Sequence, residues 1–305
     1  MRKRTIAGAI ILGLVATVSA VAAPEDDLRA AYRAGDHAAA IAILRPLAEQ
    51  GDAKAQFLLG RHYQKGEGVL RDDAVALRWF ERAAEGESAE AQFLLFLILG
   101  PSDTARGVEW LRRSAQLGFA EAQFTLAQIY AGGFRGVNLP RNEGEAVAWY
   151  RRAAEQGHAE AQSNLGTLFA TGRGVTQNYA EALRWHRMAA DQGLAAAQFH
   201  VGLRYAYGQG AALDFTEARR WYGLAADQGN PQAMNNLGGL YAQGQGGPED
   251  RIKAYMYFEL AASRYAPEAA ADREQAIRNR IQVTTRMSPD DVIEARRLVR
   301  DWRPK

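Results

Sequence analysis

Apolar residues recur along most of this chain with the spacing of amphipathic helices. One stretch illustrates the i, i+3, i+4, i+7, i+8 pattern of a helix with one buried face: Ala146, Trp149, Tyr150, Ala153 and Ala154. Alanine is abundant, and runs of β-branched residues are scarce after the N-terminus. Because alanine favours helix, the pattern predicts an all-α chain.

Two residue series show that the helical pattern belongs to a repeat of about 36 residues. The first series is Ala55, Ala91, Ala122, Ala161, Ala197 and Ala233. The second series is Trp79, Trp110, Trp149, Trp185, Trp221 and Tyr257. Their intervals lengthen and shorten together, which indicates a true repeat register rather than coincidental composition.

Glycines predict where the helices of each repeat end and how closely they pack. The first helix ends at a Gly-x-Gly turn, as at Gly66/Gly68, Gly172/Gly174, Gly208/Gly210 and Gly244/Gly246. The second ends at a single glycine: Gly51, Gly86, Gly118, Gly157, Gly193 or Gly229. Glycines at 60, 166, 202 and 238 would let two backbones approach, and we expect the tryptophans to fill the adjoining space. One helical hairpin cannot bury its own apolar face, so consecutive hairpins are expected to stack.

The stretch from Ala146 to Gly166 carries a resemblance to a known family. Its sequence Ala-Val-Ala-Trp-Tyr-Arg-Arg-Ala-Ala-Glu-Gln-Gly-His-Ala-Glu-Ala-Gln-Ser-Asn-Leu-Gly resembles the Sel1-like repeat, a relative of the tetratricopeptide repeats (TPR). The resemblance covers about residues 36–264 in six units. It implies an α/α solenoid, a right-handed superhelix of antiparallel helix pairs, with a concave face that holds partners. Many bacterial relatives are exported or associated with the cell envelope.

The ends of the chain depart from the repeat. We predict a signal peptide over residues 1–22, a degenerate helical pair over 25–51, repeats over 52–264 and capping helices over 265–305. In the last segment, Ser288 is placed to cap a final helix that covers the last repeat.

The predicted signal peptide indicates a periplasmic or secreted protein. Arg2-Lys3-Arg4 precedes an apolar run, and Ala20-Val21-Ala22 offers a cleavage site. The alternative is an uncleaved membrane anchor, the one case in which we expect membrane association. The chain has no cysteine, which excludes disulfides and a lipoprotein anchor. Without residues 1–22 the chain is near neutral, so its charge gives no reason to expect nucleic acid as a partner.

The sequence predicts no catalytic residue, no cofactor and no metal ligand. It contains no hydrolase, P-loop or zinc-protease motif. The five histidines (37, 62, 158, 186 and 200) are scattered, and His158 is expected in a surface linker. A penicillin-binding hydrolase is a distant alternative that the resemblance suggests. In those relatives, regularly spaced cysteines cross-link the repeats, and this chain has no cysteine.

We therefore predict a non-catalytic scaffold or regulator that binds a protein or peptide in the concave groove. The resemblance places the first helix of each pair on that wall. The candidate residues are Phe57, Leu58, Arg61, Leu94, Leu97, Thr125, Gln128, Asn164, Thr167, His200, Leu203, Asn235 and Asn236. The early positions are apolar and the later ones polar, which suits an extended peptide or a partner's helix.

Three alternatives remain open for this surface. Phe57, Phe93, Phe124 and Phe199 could simply pack between repeats. A cell-wall or exopolysaccharide-binding accessory role would be favoured by exposed aromatic residues along a polar groove. The stretch 93–99, apolar on every side and with Phe96 in place of the close-packing glycine, is either covered by neighbouring helices or part of a partner site.

Overall fold

The computed structural model describes residues 24–133, 137 and 139–305. The predicted signal peptide at residues 1–22 lies outside this range. Within it, none of the helices combines the length and apolar character needed to cross a bilayer.

The described residues form sixteen α-helices and one short 3-10 helix, Pro267–Ala269. The first eight α-helices are α1 (Pro24–Ala34), α2 (His37–Glu49), α3 (Ala53–Lys65), α4 (Asp73–Glu85), α5 (Ala89–Leu99), α6 (Thr104–Gln116), α7 (Ala120–Tyr130) and α8 (Glu143–Glu155). The others are α9 (Ala159–Thr171), α10 (Tyr179–Asp191), α11 (Ala195–Tyr207), α12 (Phe215–Asp227), α13 (Pro231–Gln243), α14 (Arg251–Arg264), α15 (Ala270–Thr284) and α16 (Pro289–Asp301).

Within each compact unit, most helices that follow one another in sequence pack against one another. The chain divides after Ser88 into two compact units, the first containing α1–α4 and the second α5–α16. Within each unit the helix of a repeat contacts its partner most extensively and then the next helix along. This arrangement confirms the predicted all-α solenoid fold.

In four of the repeats an aromatic ring is buried against a helical glycine. A Cβ atom on Gly202 would lie 2.6 Å from the ring of Tyr222, and Gly60, Gly166 and Gly238 face Phe80, His186 and Phe258 in the same way. The expectation that tryptophan fills this space is therefore wrong, because the ring belongs to the residue after it. The tryptophans instead lie beneath arginines, as Trp221 does 4.3 Å from Arg220.

The second repeat reverses the sizes of these packing residues. Phe96 occupies the glycine position and is only 3% exposed. Across from it, Gly107 replaces the alanine of other repeats, and Leu111 replaces the aromatic ring. The smaller residues on α6 therefore make room for the larger one on α5.

Glutamine side chains join successive helices of the second unit. Gln198 donates from Nε2 to the carbonyl of Ala190 at 3.3 Å, and Gln228 donates to Oε1 of Gln198 at 2.8 Å. The same pair of bonds recurs through Gln162 and Gln192. These amides satisfy buried polar groups that would otherwise be costly to bury.

The glycine turns have the predicted left-handed backbone at all four Gly-x-Gly pairs. One helix stop departs from the prediction. After α4, Gly86 has φ −80°, and the left-handed position falls on Glu87 with φ 64°. In other repeats this position is glycine, as in Gln156-Gly157, so the glycine here comes one residue too early.

The C-terminal helices α15 and α16 both pack on α14. Ser288 forms a capping box with Asp291, which confirms the predicted helix start. Ala295 is buried, and Val299 and Trp302 pack against the core that contains α13 and α14 residues. The predicted apolar face of α16 therefore covers the last repeat.

Candidate functional site

The thirteen candidate residues differ in how much of each side chain is exposed to a partner. Thr125 is only 5% exposed, so its hydroxyl is closed to a partner. Arg61 and Leu97 are exposed, and the remaining ten are half-buried. Their role in binding stays a prediction.

The four phenylalanines of the candidate surface are half-buried and contact other aromatic rings. Ring centroids lie 5.8 Å apart for Phe57–Phe80, 5.5 Å for Phe93–Phe119, 5.9 Å for Phe124–Tyr150 and 5.9 Å for Phe199–Tyr222. These separations are typical of aromatic pairs that stabilise a core. For Phe57, Phe124 and Phe199 the partner ring lies on the other helix of the same repeat, so these contacts pack the rings within a repeat rather than between repeats.

Helix α5 keeps part of its apolar surface exposed. Leu95 and Phe96 are buried, whereas Leu97 is 49% and Ile98 38% exposed. The two exposed side chains are adjacent, so they offer a small apolar patch at the end of the helix.

Two of the predicted residues line a cleft in the second unit, which we call the amide cleft. It has a volume of about 350 Å³. Its walls include Asn235, Asn236, Gln243, Gln245, Asn279, Tyr207, Phe215 and Tyr222. Tyr207 is 67% exposed, so a large aromatic surface lies beside five side-chain amides.

Hydrogen bonds hold part of this cleft in place. Asn279 on α15 donates to Oδ1 of Asn235 on α13 at 3.1 Å, and Gln275 donates to Oδ1 of Asn279 at 2.8 Å. Asn236 donates to the hydroxyl of Tyr222 at 3.2 Å. Burial raises the pKa of Tyr222 to about 12, so the phenol stays neutral. The result is a preorganised, uncharged surface of hydrogen-bonding groups.

The first unit has a separate cleft of about 250 Å³ with a different character. The predicted residue Leu58 lines it together with Leu28, Leu44 and Leu47. Charged side chains also line it: Glu25, Arg29, Asp52 and Lys54. Such a cleft suits an apolar side chain flanked by polar groups.

The histidines of the second unit pack against other aromatic rings of the fold. His186 and His200 stack with ring centroids 4.6 Å apart. Burial, with the nearby charge of Arg204, lowers the pKa of His186 to about 2 and that of His200 to about 4, so both rings are neutral. His158 lies in the linker between α8 and α9, as expected, but its side chain is largely covered because it caps α9 and stacks on Phe124.

The histidines of the first unit meet a carboxylate, a cluster that sequence reasoning missed. One ligand atom each from His37, His62 and Glu67 lie within 4.8 Å of one another. The three residues are up to 30 positions apart, so no local motif marks them. The Gly66-Glu67-Gly68 turn is the one sequence feature from which this cluster could have been predicted, because the middle residue of such a turn lies against an earlier helix, here α2.

Comparisons with known proteins identify similar repeats and folds. A family model described as the Sel1 repeat matches residues 53–88, 89–119, 120–158, 159–194, 195–230 and 231–264. A solved structure of c5321, a protective antigen of uropathogenic Escherichia coli with an SLR fold, is 28% identical with a TM-score of 0.73. That match covers 92% of this chain, whereas the chain spans 61% of that protein. A Sel1 repeat protein from Oxalobacter formigenes is 31% identical with a TM-score of 0.62, over 81% of this chain and 98% of the other. Comparison with curated proteins finds no match.

Proposed function

Because the chain belongs to the Sel1 repeat family, we propose that it is a non-catalytic scaffold of the cell envelope, periplasmic or secreted, that binds a partner protein. The Sel1 and TPR-like repeat fold is in general a scaffold for protein–protein interaction. Residues 1–22 support export through their basic start and apolar run. N-terminal sequencing of the exported chain tests this part, and a chain that stays in the cytosol would refute it.

The amide cleft is the observation that supports an extended peptide as the bound element. Side-chain amides both donate and accept hydrogen bonds, so they match the N–H and C=O groups of a peptide backbone. Within the described residues, the Nδ2 group of Asn235 and Oδ1 of Asn236 have no further protein partner. Exposed Tyr207 adds apolar area for one peptide side chain.

Photo-cross-linking from the cleft tests this proposal. A photoreactive residue at position 207 is expected to trap one partner segment in envelope extract, and the Asn235→Ala variant should weaken that capture. A matched control is Leu213→Ala, since Leu213 is 57% exposed but lies outside the cleft lining. Equal capture by the wild type and both variants would refute a role for the cleft.

A cell-wall or exopolysaccharide ligand is the second candidate, and exposed Tyr207 beside the amides favours it. Sugar hydroxyls also exchange hydrogen bonds with amides, and an aromatic face can lie against a sugar ring. Co-sedimentation with purified peptidoglycan measures this directly. Binding that Tyr207→Ala abolishes would support the polysaccharide, whereas sedimentation equal to that of an unrelated protein would exclude it.

A further inference from the structure

Three side chains that commonly bind metals meet in the first unit. His37 begins α2, His62 lies in the last turn of α3, and Glu67 lies in the turn after α3. Nδ1 of His37 is 4.0 Å from Oε2 of Glu67, and the two imidazole centroids are 5.6 Å apart. Ligand atoms from all three lie within 4.8 Å of one another.

The Gly-x-Gly turn is what brings Glu67 to His37. Gly66 and Gly68 both have left-handed backbones, with φ 73° and 77°. A Cβ atom on Gly68 would lie 2.8 Å from the backbone of His37, so only glycine allows this approach.

The fourth repeat shows what the same turn does elsewhere. There the middle residue is Arg173, and its Nε donates to Glu143 at 2.9 Å, an ion pair between turn and earlier helix. The residue that corresponds to His62 is Leu168. In the first unit these three positions instead carry two imidazoles and a carboxylate.

His62 is already oriented as a metal-binding histidine would be. Its Nδ1 lies 2.8 Å from the backbone carbonyl of Glu67, which can only accept, so Nδ1 carries the proton. Nε2 therefore presents a lone pair, which now accepts from the hydroxyl of Tyr32 at 3.0 Å. A backbone carbonyl on the second ring nitrogen is a common way to fix a histidine ligand.

His37 supplies a second nitrogen atom that is available to bind a metal ion. Its Nδ1 is buried and has no hydrogen-bond partner among the described residues. The Glu67 side chain is 38% exposed, and its ion pair with Lys65, at 3.4 Å, lies at the surface, where such pairs are weak. The carboxylate can therefore turn inward at small energetic cost.

We propose that His37, His62 and Glu67 bind one Zn²⁺ ion that ties the start of α2 to the end of α3. Two imidazoles and a carboxylate are a zinc donor set, and water or the Tyr32 hydroxyl would complete four-coordination. Zn–N bonds of about 2.0–2.1 Å put tetrahedral ligand atoms roughly 3.3–3.5 Å apart. Donor atoms that now lie within 4.8 Å of one another would therefore close by up to about 1.5 Å, a movement that side-chain rotation supplies.

Isothermal titration of the chelator-treated, purified chain with ZnCl₂ tests the proposal. We expect one Zn²⁺ per chain, a melting temperature that rises with the ion, and affinity reduced by about tenfold or more in His37→Ala and Glu67→Gln. Matched controls are Glu49→Gln, an exposed carboxylate of the same unit, and His200→Asn in the second unit. Both controls should bind like the wild type.

Co²⁺ provides a second readout that does not depend on stability. A tetrahedral site with these donors should give visible absorption bands that are lost in Glu67→Gln while circular dichroism shows the variant still folded. Absence of one-to-one binding in the wild type would overturn the proposal, and so would binding by His37→Ala and Glu67→Gln as tight as that of the wild type. If His37→Ala lowers the melting temperature but the wild type does not respond to Zn²⁺, then His37 and Glu67 form only an ion pair. That result would also overturn the proposal.

Discussion

Acidification from pH 7 to pH 5 is expected to destabilise the second unit through His186 and His200. Burial lowers the pKa of His186 to about 2 and that of His200 to about 4, with the charge of Arg204 adding to both effects. In an unfolded chain a histidine titrates near pH 6.5. Below that pH the unfolded chain takes up protons that the folded chain excludes, so stability is complete above pH 6.5 and falls as the pH falls.

The size of this loss follows from the unfolded chain alone. Both folded-state pKa values lie below 5, so the folded rings stay almost entirely neutral across the interval. Protonation of an unfolded histidine between pH 7 and pH 5 then costs about 2 kcal/mol of stability per residue. Together the two rings should lower the free energy of unfolding by roughly 3–4 kcal/mol. Carboxylates contribute little in this interval because their ordinary pKa values lie near 4.

A double variant that copies the adjacent repeat provides the control. Tyr222 and Asn236 occupy the positions that correspond to His186 and His200, and there they share a 3.2 Å hydrogen bond. Gly166 leaves room for the larger ring, as the equivalent glycine does beside Tyr222. His186→Tyr/His200→Asn should therefore fold, match or exceed the wild type at pH 7 and lose most of the pH dependence.

Urea denaturation at pH 7, 6 and 5, followed by far-ultraviolet circular dichroism, measures the difference. Hydrogen exchange of the α10 and α11 amides adds a local readout, because repeat arrays can open in parts. If the wild type and the double variant lose the same free energy between pH 7 and pH 5, the two rings are not the cause and the reasoning fails.

Three further substitutions test the packing of the repeats by their effect on the free energy of unfolding, measured with urea. Gly202→Ala should cost about 1–3 kcal/mol because the new Cβ would lie 2.6 Å from the Tyr222 ring. Its matched control, Gly223→Ala, should add about 0.5–1 kcal/mol, because this helical glycine has open space around its missing Cβ. Glu87→Gly should add about 1 kcal/mol by relieving the left-handed backbone of a non-glycine residue. Gln198→Ala should cost about 1–3 kcal/mol, since the buried amide bonds two neighbours.

Each of these expectations has an opposite outcome that would contradict it. Equal effects of alanine at Gly202 and Gly223 would show that the aromatic contact does not limit packing. A destabilised Glu87→Gly variant would mean that the Glu87 side chain contributes more than its backbone strain costs. An unchanged Gln198→Ala variant would mean that water replaces the amide without loss.

Much of the fold could be predicted because the repeat signal is local. The i, i+3, i+4 spacing, the capping residues and the glycine stops act within a few turns of helix. Ser288 is therefore recognisable as a helix cap from the sequence, and so is the position of the Gly66/Gly68 turn. The exception after α4 is also local, because Gly86 stands one position before the place where the other repeats have their stop glycine. Only the structure shows that Glu87 adopts the left-handed backbone there.

The candidate site could be predicted only in part, because exposure depends on how helices stack. Asn235 and Asn236 share the register of the other candidate residues, and the fold places both in a cleft. Thr125 has the same register as Asn236, yet it is buried. The repeat pattern specifies which residues correspond to each other, but it does not specify how much neighbouring side chains cover them.

The repeat register, the helical class and the helix ends are readable in the sequence, since they follow from interactions between residues close in the chain. The predicted signal peptide also comes from the sequence alone and stays a prediction. Only the packing of helices against one another established that the residue after Trp79, Trp185 or Trp221 meets a glycine, and that the three donors of the first unit converge. Most of these contacts join residues about 20 to 30 positions apart. Their geometry is set by the packing between helices rather than by the pattern within one helix.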